Sequence, residues 1–390
     1  MISVSDALDT LLDLVSPMAA ETVPLRAAAG RVLAEPVSAK RDQPPFAASA
    51  MDGYALKSAE VEKDAMFKVI GESAAGHGFA GRVGAGQAVR IFTGAPVPEG
   101  ADFVVIQEDI SRSGNLITIA DHPGTSTNIR PKGGDFQIGT TMDAPRVLGS
   151  ADIALLAAMN IAQVPVRKQP TVALISTGDE LVLPGDTPGP DQIIASNTFG
   201  LDALLTAAGA RVRILPIARD TESDLRTGFE LAQDADLIVT IGGASVGDHD
   251  LVAGVTETLG MSRAFYKVAM RPGKPLMAGT LGQSTMVGLP GNPVSAMVCG
   301  HIFILPMLRA MLGLGTDTPA LLTAPLAHPV SENGPRQHYM RGRFDGQSVH
   351  VFDDQDSARL TLLAEANVLV VRPPKDGARA TGERINYLPI

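Results

Sequence analysis

The chain has 390 residues, enough at roughly 100–200 per domain for two to four domains. Apolar residues make up 45% and charged residues 19%, which supports hydrophobic cores and excludes global disorder. The formal charge of −10, with no basic run, excludes the electrostatic footprint of a nucleic-acid binder. A single cysteine, Cys299, rules out an internal disulfide and a thiolate metal cage, and its apolar setting reads as a small buried hydrophobe. The seven histidines are scattered without metal-ligand spacing. The opening MISVSDALDT lacks the basic and apolar regions of a signal peptide. The longest apolar stretch, Val294 to Leu308, is interrupted by Ser295, His301 and Pro306 and falls short of the ~20 residues that span a bilayer. A cytoplasmic protein without a membrane partner is expected.

In chain order, Leu8, Leu11, Leu12 and Val15 form one helical stripe that Pro17 stops. From Arg41 to about Thr140, Gly and Pro punctuate short runs such as Phe67–Ile70, Ala88–Phe92, Phe103–Ile106 and Leu116–Ile119, the pattern of a β domain. Helical character returns at Ser150, a plausible N-cap, and a Pro165–Pro170 linker follows. A β domain inserted into a helical one is expected. Residues 171–315 alternate strands (Val172–Ile175, Val212–Leu215, Leu237–Ile241) with helices (Thr198–Ala208, Leu225–Leu231), the signature of a doubly wound parallel sheet. Past Pro319, short alternating runs suit a small terminal β domain.

Gly76-His77-Gly78-Phe79-Ala80-Gly81 matches a dinucleotide fingerprint by letter, but a strand rather than a helix follows, so it reads as a loop. Gly242-Gly243-Ala244-Ser245-Val246-Gly247-Asp248-His249-Asp250 sits at the carboxyl end of an apolar strand, the rim where open α/β sheets bind ligands. Its glycines admit a close phosphate, and Asp248 and Asp250 suit Mg²⁺, which takes one or two carboxylates plus phosphate and water. The plainer reading is a tight capped turn. Arg263 to Lys274 holds four cations and no acid. If Phe265–Arg271 is one strand, Lys267, Ala269 and Arg271 share a face, and a Pro272-Gly273 turn returns Lys274 to it. With Arg336, Arg341 and Arg343 these make either an anion pocket or solvated surface charge. Leu289-Pro290-Gly291-Asn292-Pro293-Val294-Ser295 joins a strand to a helix and would expose the Ser295 hydroxyl at the helix start. Residue chemistry alone stops at an α/β enzyme that binds a phosphorylated ligand or another oxyanion with Mg²⁺.

The ordered set Ser49–Ala55 (SAMDGYA), Ile91–Asp102, Asn128–Asp135 (NIRPKGGD), Ser176–Leu181 (STGDEL), Gly242–Asp250, Arg271–Pro275 (RPGKP) and Gly288–Ala296 is more specific than its members. Together these motifs resemble the molybdopterin molybdenumtransferases, the MoeA-type enzymes related to the gephyrin E domain. The resemblance implies a multidomain α/β fold. A helical domain (1–40 and 141–168) is interrupted by a β domain (41–140). A central α/β domain like the molybdopterin adenylyltransferases (169–318) and a C-terminal β-barrel (319–390) follow. It implies insertion of molybdate, a substrate, into adenylylated molybdopterin with Mg²⁺-dependent release of AMP, in a homodimer fed by a separate adenylyltransferase.

Carried over by motif position, Asp52, Thr93, Arg130 and Asp135 come from the β domain. Glu180, Asp220, Asp248 and Asp250 would act near the pyrophosphate, with Asp135 and these acids as Mg²⁺ ligands. Gly242, Gly243, Ser245, Lys267, Arg271 and Lys274 would meet the anionic substrate, and Arg341, Ser295 and Ser357 would complete a molybdate pocket. Two departures stand out: Gly134 replaces a frequent Glu, and Gln355-Asp356-Ser357-Ala358 replaces Gln-Gly-Ser-Gly. Asp356 would repel molybdate unless it points away. A scaffold of the same fold that binds a partner peptide, and an enzyme that inserts tungstate, are the competing readings.

Overall fold

The computed structural model describes residues 1–243, 251–318 and 320–390. The chain divides into two compact units. One comprises Met1–Glu21, Gly30–Ala34 and Val166–Ile390, and the other Thr22–Ala29 and Glu35–Pro165.

The N-terminal helix α1 (Val4–Asp13) belongs to the first of these units. Ser3 caps it: its hydroxyl accepts the Asp6 N–H while the Asp6 carboxylate accepts the Ser3 N–H. Its stripe of Val4, Ala7, Leu8 and Leu11 is buried.

In the second unit, β1 (Gly53–Leu56), β2 (Met66–Ser73), β3 (Gln87–Ile91), β4 (Phe103–Ile106), β5 (Ile110–Ser113) and β6 (Leu116–Ile119) form one sheet in the order β4-β1-β3-β2-β6-β5. Its core is Tyr54, Leu56, Phe67, Ala88, Val105, Ile117 and Ile119. Gly76–Gly81 is a loop beside it, as its sequence context required. Helix α2 (Ser150–Ala158) begins one residue earlier than expected in its capping. Gly149 is the N-cap, and its N–H is taken by Asp152. Pro165 lies inside a strand, Gln163–Arg167, where a linker was expected.

The first unit holds a six-stranded sheet of β7 (Thr171–Ser176), β8 (Arg211–Ile214), β9 (Leu237–Ile241), β10 (Ser262–Tyr266), β11 (Met277–Leu281) and β12 (Ser284–Leu289). Their order is β8-β7-β9-β12-β11-β10, parallel through the first four and antiparallel at the β10 edge. Helices α3 (Asn197–Ala207), α4 (Glu222–Ala232) and α5 (Leu251–Thr258) make the crossovers. Every residue of β9 and β12 is buried, which explains their unbroken apolar runs.

Helix α6 runs continuously over Pro293–Met311, longer than the interrupted stretch the sequence suggested. Residues Gly300–Ile304 take the wider π register. By length and composition alone this helix could cross a membrane, yet 78% of its most apolar window is buried. It packs in the same core as α1 and the sheet.

The terminal strands β13 (Leu322–Pro325), β14 (Gln337–Phe344), β15 (Val349–Val351), β16 (Val368–Arg372) and β17 (Arg384–Pro389) pair in the order β15-β14-β16-β17-β13. A bridge between Leu326 and Val349 joins the end of β13 to β15 and closes the barrel. Leu326, Val349, Val368, Val370, Ile385 and Tyr387 fill it.

Candidate active site

The carboxyl ends of β7, β9 and β12 deliver three loops to one cavity of about 580 Å³. Thr177, Glu180 and Asp220 stand on one side, Gly242 and Gly243 on the floor, and Asn292 beyond. This is the rim where parallel sheets bind ligands. Gly242 has φ +92°, and a Cβ there would lie 2.7 Å from the Thr177 carbonyl oxygen. Only glycine lets the β7 and β9 loops approach so closely. The Thr177 hydroxyl beside this turn is buried and has no hydrogen-bond partner among the described residues. Sequence reading overlooked it, although an unpaired buried hydroxyl is a costly feature that a ligand oxygen would satisfy.

Asp220 carries the electrostatic signature of the site. Desolvation raises its pKa, and the neighbouring Asp179 and Glu180 carboxylates raise it further. Its backbone N–H donates to Asp179 at 3.1 Å, while Arg219 donates to the Asp179 carbonyl at 2.8 Å. These bonds lock the β7 loop to the β8–α4 connection. Like charges held together in this way are what a divalent cation relieves. Among the described residues no cluster of three or more acids or histidines forms a ready metal cage. Glu180 and Asp220 still fit Mg²⁺, which usually keeps water and substrate phosphate in most positions. Ser245, Asp248 and Asp250 lie outside the described residues.

The cationic segment differs from its expected form. Phe265–Arg271 is not one strand: β10 ends at Tyr266, and Lys267 takes φ +72°. The left-handed residue breaks the alternation that would have aligned Lys267, Ala269 and Arg271. Lys267 places its ammonium 4.8 Å from the centre of the Tyr266 ring. The chain does double back, because Val268 N–H donates to the Lys274 carbonyl at 3.0 Å and Lys267 N–H to that of Leu276 at 2.9 Å. Gly273 makes this possible, for a Cβ there would lie 2.6 Å from the Cys299 sulfur.

Ser295 is only 4% exposed, so its hydroxyl is not displayed at the start of α6 as expected. Asn292 is the exposed polar group there, and it donates to the Ser357 hydroxyl at 3.1 Å. Val294 N–H donates to the Ser357 carbonyl at 3.0 Å, docking this barrel loop beside the cavity. Arg341 is 1% exposed and gives its guanidinium to the carbonyls of Arg359 and Asp354. It clamps the loop that carries Ser357. Asp356 accepts the Ala358 N–H at 2.8 Å and lines a separate barrel cavity together with Arg271.

In the other unit, Thr93 donates both its N–H and its hydroxyl to Asp52, each at 2.8 Å. Those bonds hold the Asp52 carboxyl below its usual range. Arg130 pairs through its backbone with Ala48, and Asp135 N–H donates to the Gln43 carbonyl; both side chains are exposed.

Residues 2–160 match the family described as "MoeA N-terminal region (domain I and II)". Residues 173–310 match "Probable molybdopterin binding domain", and 323–390 match "MoeA C-terminal region (domain IV)". The chain is 35% identical over 413 aligned positions to a molybdopterin molybdenumtransferase of Nostoc sp., covering 100% of this chain and 94% of that protein. It is 33% identical to the protein of the same name in Haemophilus influenzae, covering 100% and 98%. A solved molybdopterin biosynthesis MoeA protein of Pyrococcus horikoshii superposes with a TM-score of 0.85 at 29% identity, covering 99% of this chain and 98% of that one.

Proposed function

Because the chain belongs to the molybdopterin molybdenumtransferase family, we propose that it inserts molybdate into adenylylated molybdopterin and releases AMP. The observation that carries this reading is the strand-end cavity, where close backbone at Gly242 and Gly243 meets the acids Glu180 and Asp220. A pyrophosphate laid on the glycine turn would meet backbone and the unpaired Thr177 hydroxyl. Magnesium held by Glu180 and Asp220, with Asp248 and Asp250 as further candidates, would supply charge neutralisation to the phosphates; Asp135 is a proposed Mg²⁺ ligand of the other unit.

The chain's own groups then have separable tasks. Asp220, a stronger base than a free carboxylate, accepts a proton from the water that adds to the adenylyl phosphorus. The phosphoanhydride bond breaks, AMP leaves, and the pterin phosphate remains. Lys267, Arg271 and Lys274 attract molybdate; as the two dithiolene thiols bind the metal, their two protons leave with one displaced oxygen as water. Ser357, held by Asn292 and by the loop that Arg341 clamps, closes that end, and buried Ser295 supports it. For the other unit, Asp52 is proposed as a catalytic residue and Thr93 and Arg130 as substrate-binding residues. The four-part division at 1–40 with 141–168, 41–140, 169–318 and 319–390, a cytoplasmic homodimer and a separate adenylyltransferase as supplier complete the reading.

A single-turnover mixture of the full chain, adenylylated molybdopterin, Mg²⁺ and molybdate tests it. The expected result is one AMP per site and a molybdenum-loaded pterin. Binding without AMP release from folded protein would make the chain a scaffold, and preference for tungstate over molybdate would change the cargo.

A further inference from the structure

A second cavity, of about 710 Å³, opens on the barrel. Three adjacent strands put Arg271, His338 and Arg372 in one row across it. Arg271 is the register partner of His338, and His338 that of Arg372. Register partners project to the same face of a sheet. His338 is 6% exposed and Arg372 1%, whereas Arg271 is exposed, so the row runs from solvent into the barrel.

The charges in this cavity are arranged by depth. Arg372 is already bound to Asp376 and to the carbonyls of Ser331 and Gly377. Among the described residues Arg271 has no acidic partner and His338 no hydrogen-bond partner, and the His338 ring nitrogens are not among the buried unsatisfied atoms, so they face the cavity. Arg336, just before β14, and Arg341, on it, add their fields to those of Arg271 and Arg372. Acids line the cavity too, but Glu332 and Asp353 are exposed at its rim. Asp354 pairs with Arg359 at 3.1 Å, and Asp356 accepts the Ala358 N–H. Burial and the four guanidinium groups push the His338 imidazole down to about 4, so it is neutral at physiological pH. A neutral imidazole that faces a cavity ringed by guanidinium groups suits an anion.

We propose that the Arg271–His338–Arg372 row binds a tetrahedral oxyanion, which enters together with a proton taken up by His338. Burial and then the guanidinium charges keep the ring neutral; the anion offsets the second of these, and the imidazolium then donates to it. Molybdate, sulfate and phosphate share this chemistry. The inference extends the anion-binding role proposed above for Arg271, and its His338 and Arg372 part stands on the barrel cavity.

Titration calorimetry of the full chain at pH 6, in buffers of different ionisation enthalpy, tests it with molybdate and with sulfate alone. Each is expected to bind with uptake of up to one proton, and the His338 ring resonances should titrate at higher pH with anion present. Tighter binding of molybdate than sulfate would mark the site as one for cargo, and equal binding as a general oxyanion site. H338F should abolish the uptake and weaken binding about tenfold, and H338Q, which keeps a polar side chain, should also lose the uptake. Uptake that persists in both variants overturns the proposal. So does a His338 resonance that responds to Mg²⁺ and not to the anions, since the acidic rim would then be the site. The pterin is absent from this experiment, so its failure would leave AMP release untouched.

Discussion

Asp220 shows how a single carboxyl can oppose stability while serving a site. Its folded pKa lies above the ordinary value of 3.8, so folding favours the protonated form. That contribution is complete below about pH 3.8 and is lost as pH rises through the folded pKa. Asp220→Asn should therefore stabilise the metal-free protein at pH 7, with no gain below pH 3.8, as thermal melts across pH would show. The gain should stay under ~1 kcal/mol, because the side chain is partly solvated. The same variant should release AMP far more slowly. Gly242→Ala has the opposite character: φ +92° and the nearby Thr177 carbonyl make it strained. A loss of about 1–3 kcal/mol in urea unfolding is expected, with activity falling further than stability. The glycine turn was legible in the sequence because its chemistry is local. The Asn292–Ser357 bond was not, since 65 residues separate the partners. Nor was the burial of Ser295 and Arg341, which depends on neighbours from other elements.

At the scale of elements, apolar runs and turn residues foretold most of the central strands and helices to within a few residues. Two segments went differently for physical reasons. Lys267 in a left-handed conformation ended β10 where alternation alone would have continued it. Pro306 did not stop α6, because the π turn at Gly300–Ile304 lies just before it. A proline cannot donate to the carbonyl four residues back, and a local change of register absorbs that loss. Phe303 sits in this turn, fully buried in the core shared with α1 and the sheet. Phe303→Ala should cost about 3–5 kcal/mol in denaturant unfolding. A cost below about 1 kcal/mol would mean that the turn adjusts freely and that the core does not depend on its register.

For the whole molecule, Cys299 is an internal witness to the state of the fold. Its thiol is fully buried, and desolvation pushes its pKa well above the usual range. Since the thiolate is the reactive form, the native chain should resist an aromatic disulfide reagent and react with one equivalent only on unfolding. Rapid labelling of the native protein would contradict this packing. The same core has a temporal consequence. Val4, Leu8 and Leu11 of α1 share it with Met307, Met311, Leu369 and Leu388. A ribosome adding about 5–20 residues per second makes the helix long before Met307, Met311, Leu369 and Leu388. For tens of seconds α1 exists with its apolar stripe unshielded, held by little beyond the Ser3–Asp6 cap. Short helices are marginal in water, so this segment stays available to a holding chaperone until the strands carrying Leu369 and Leu388 emerge.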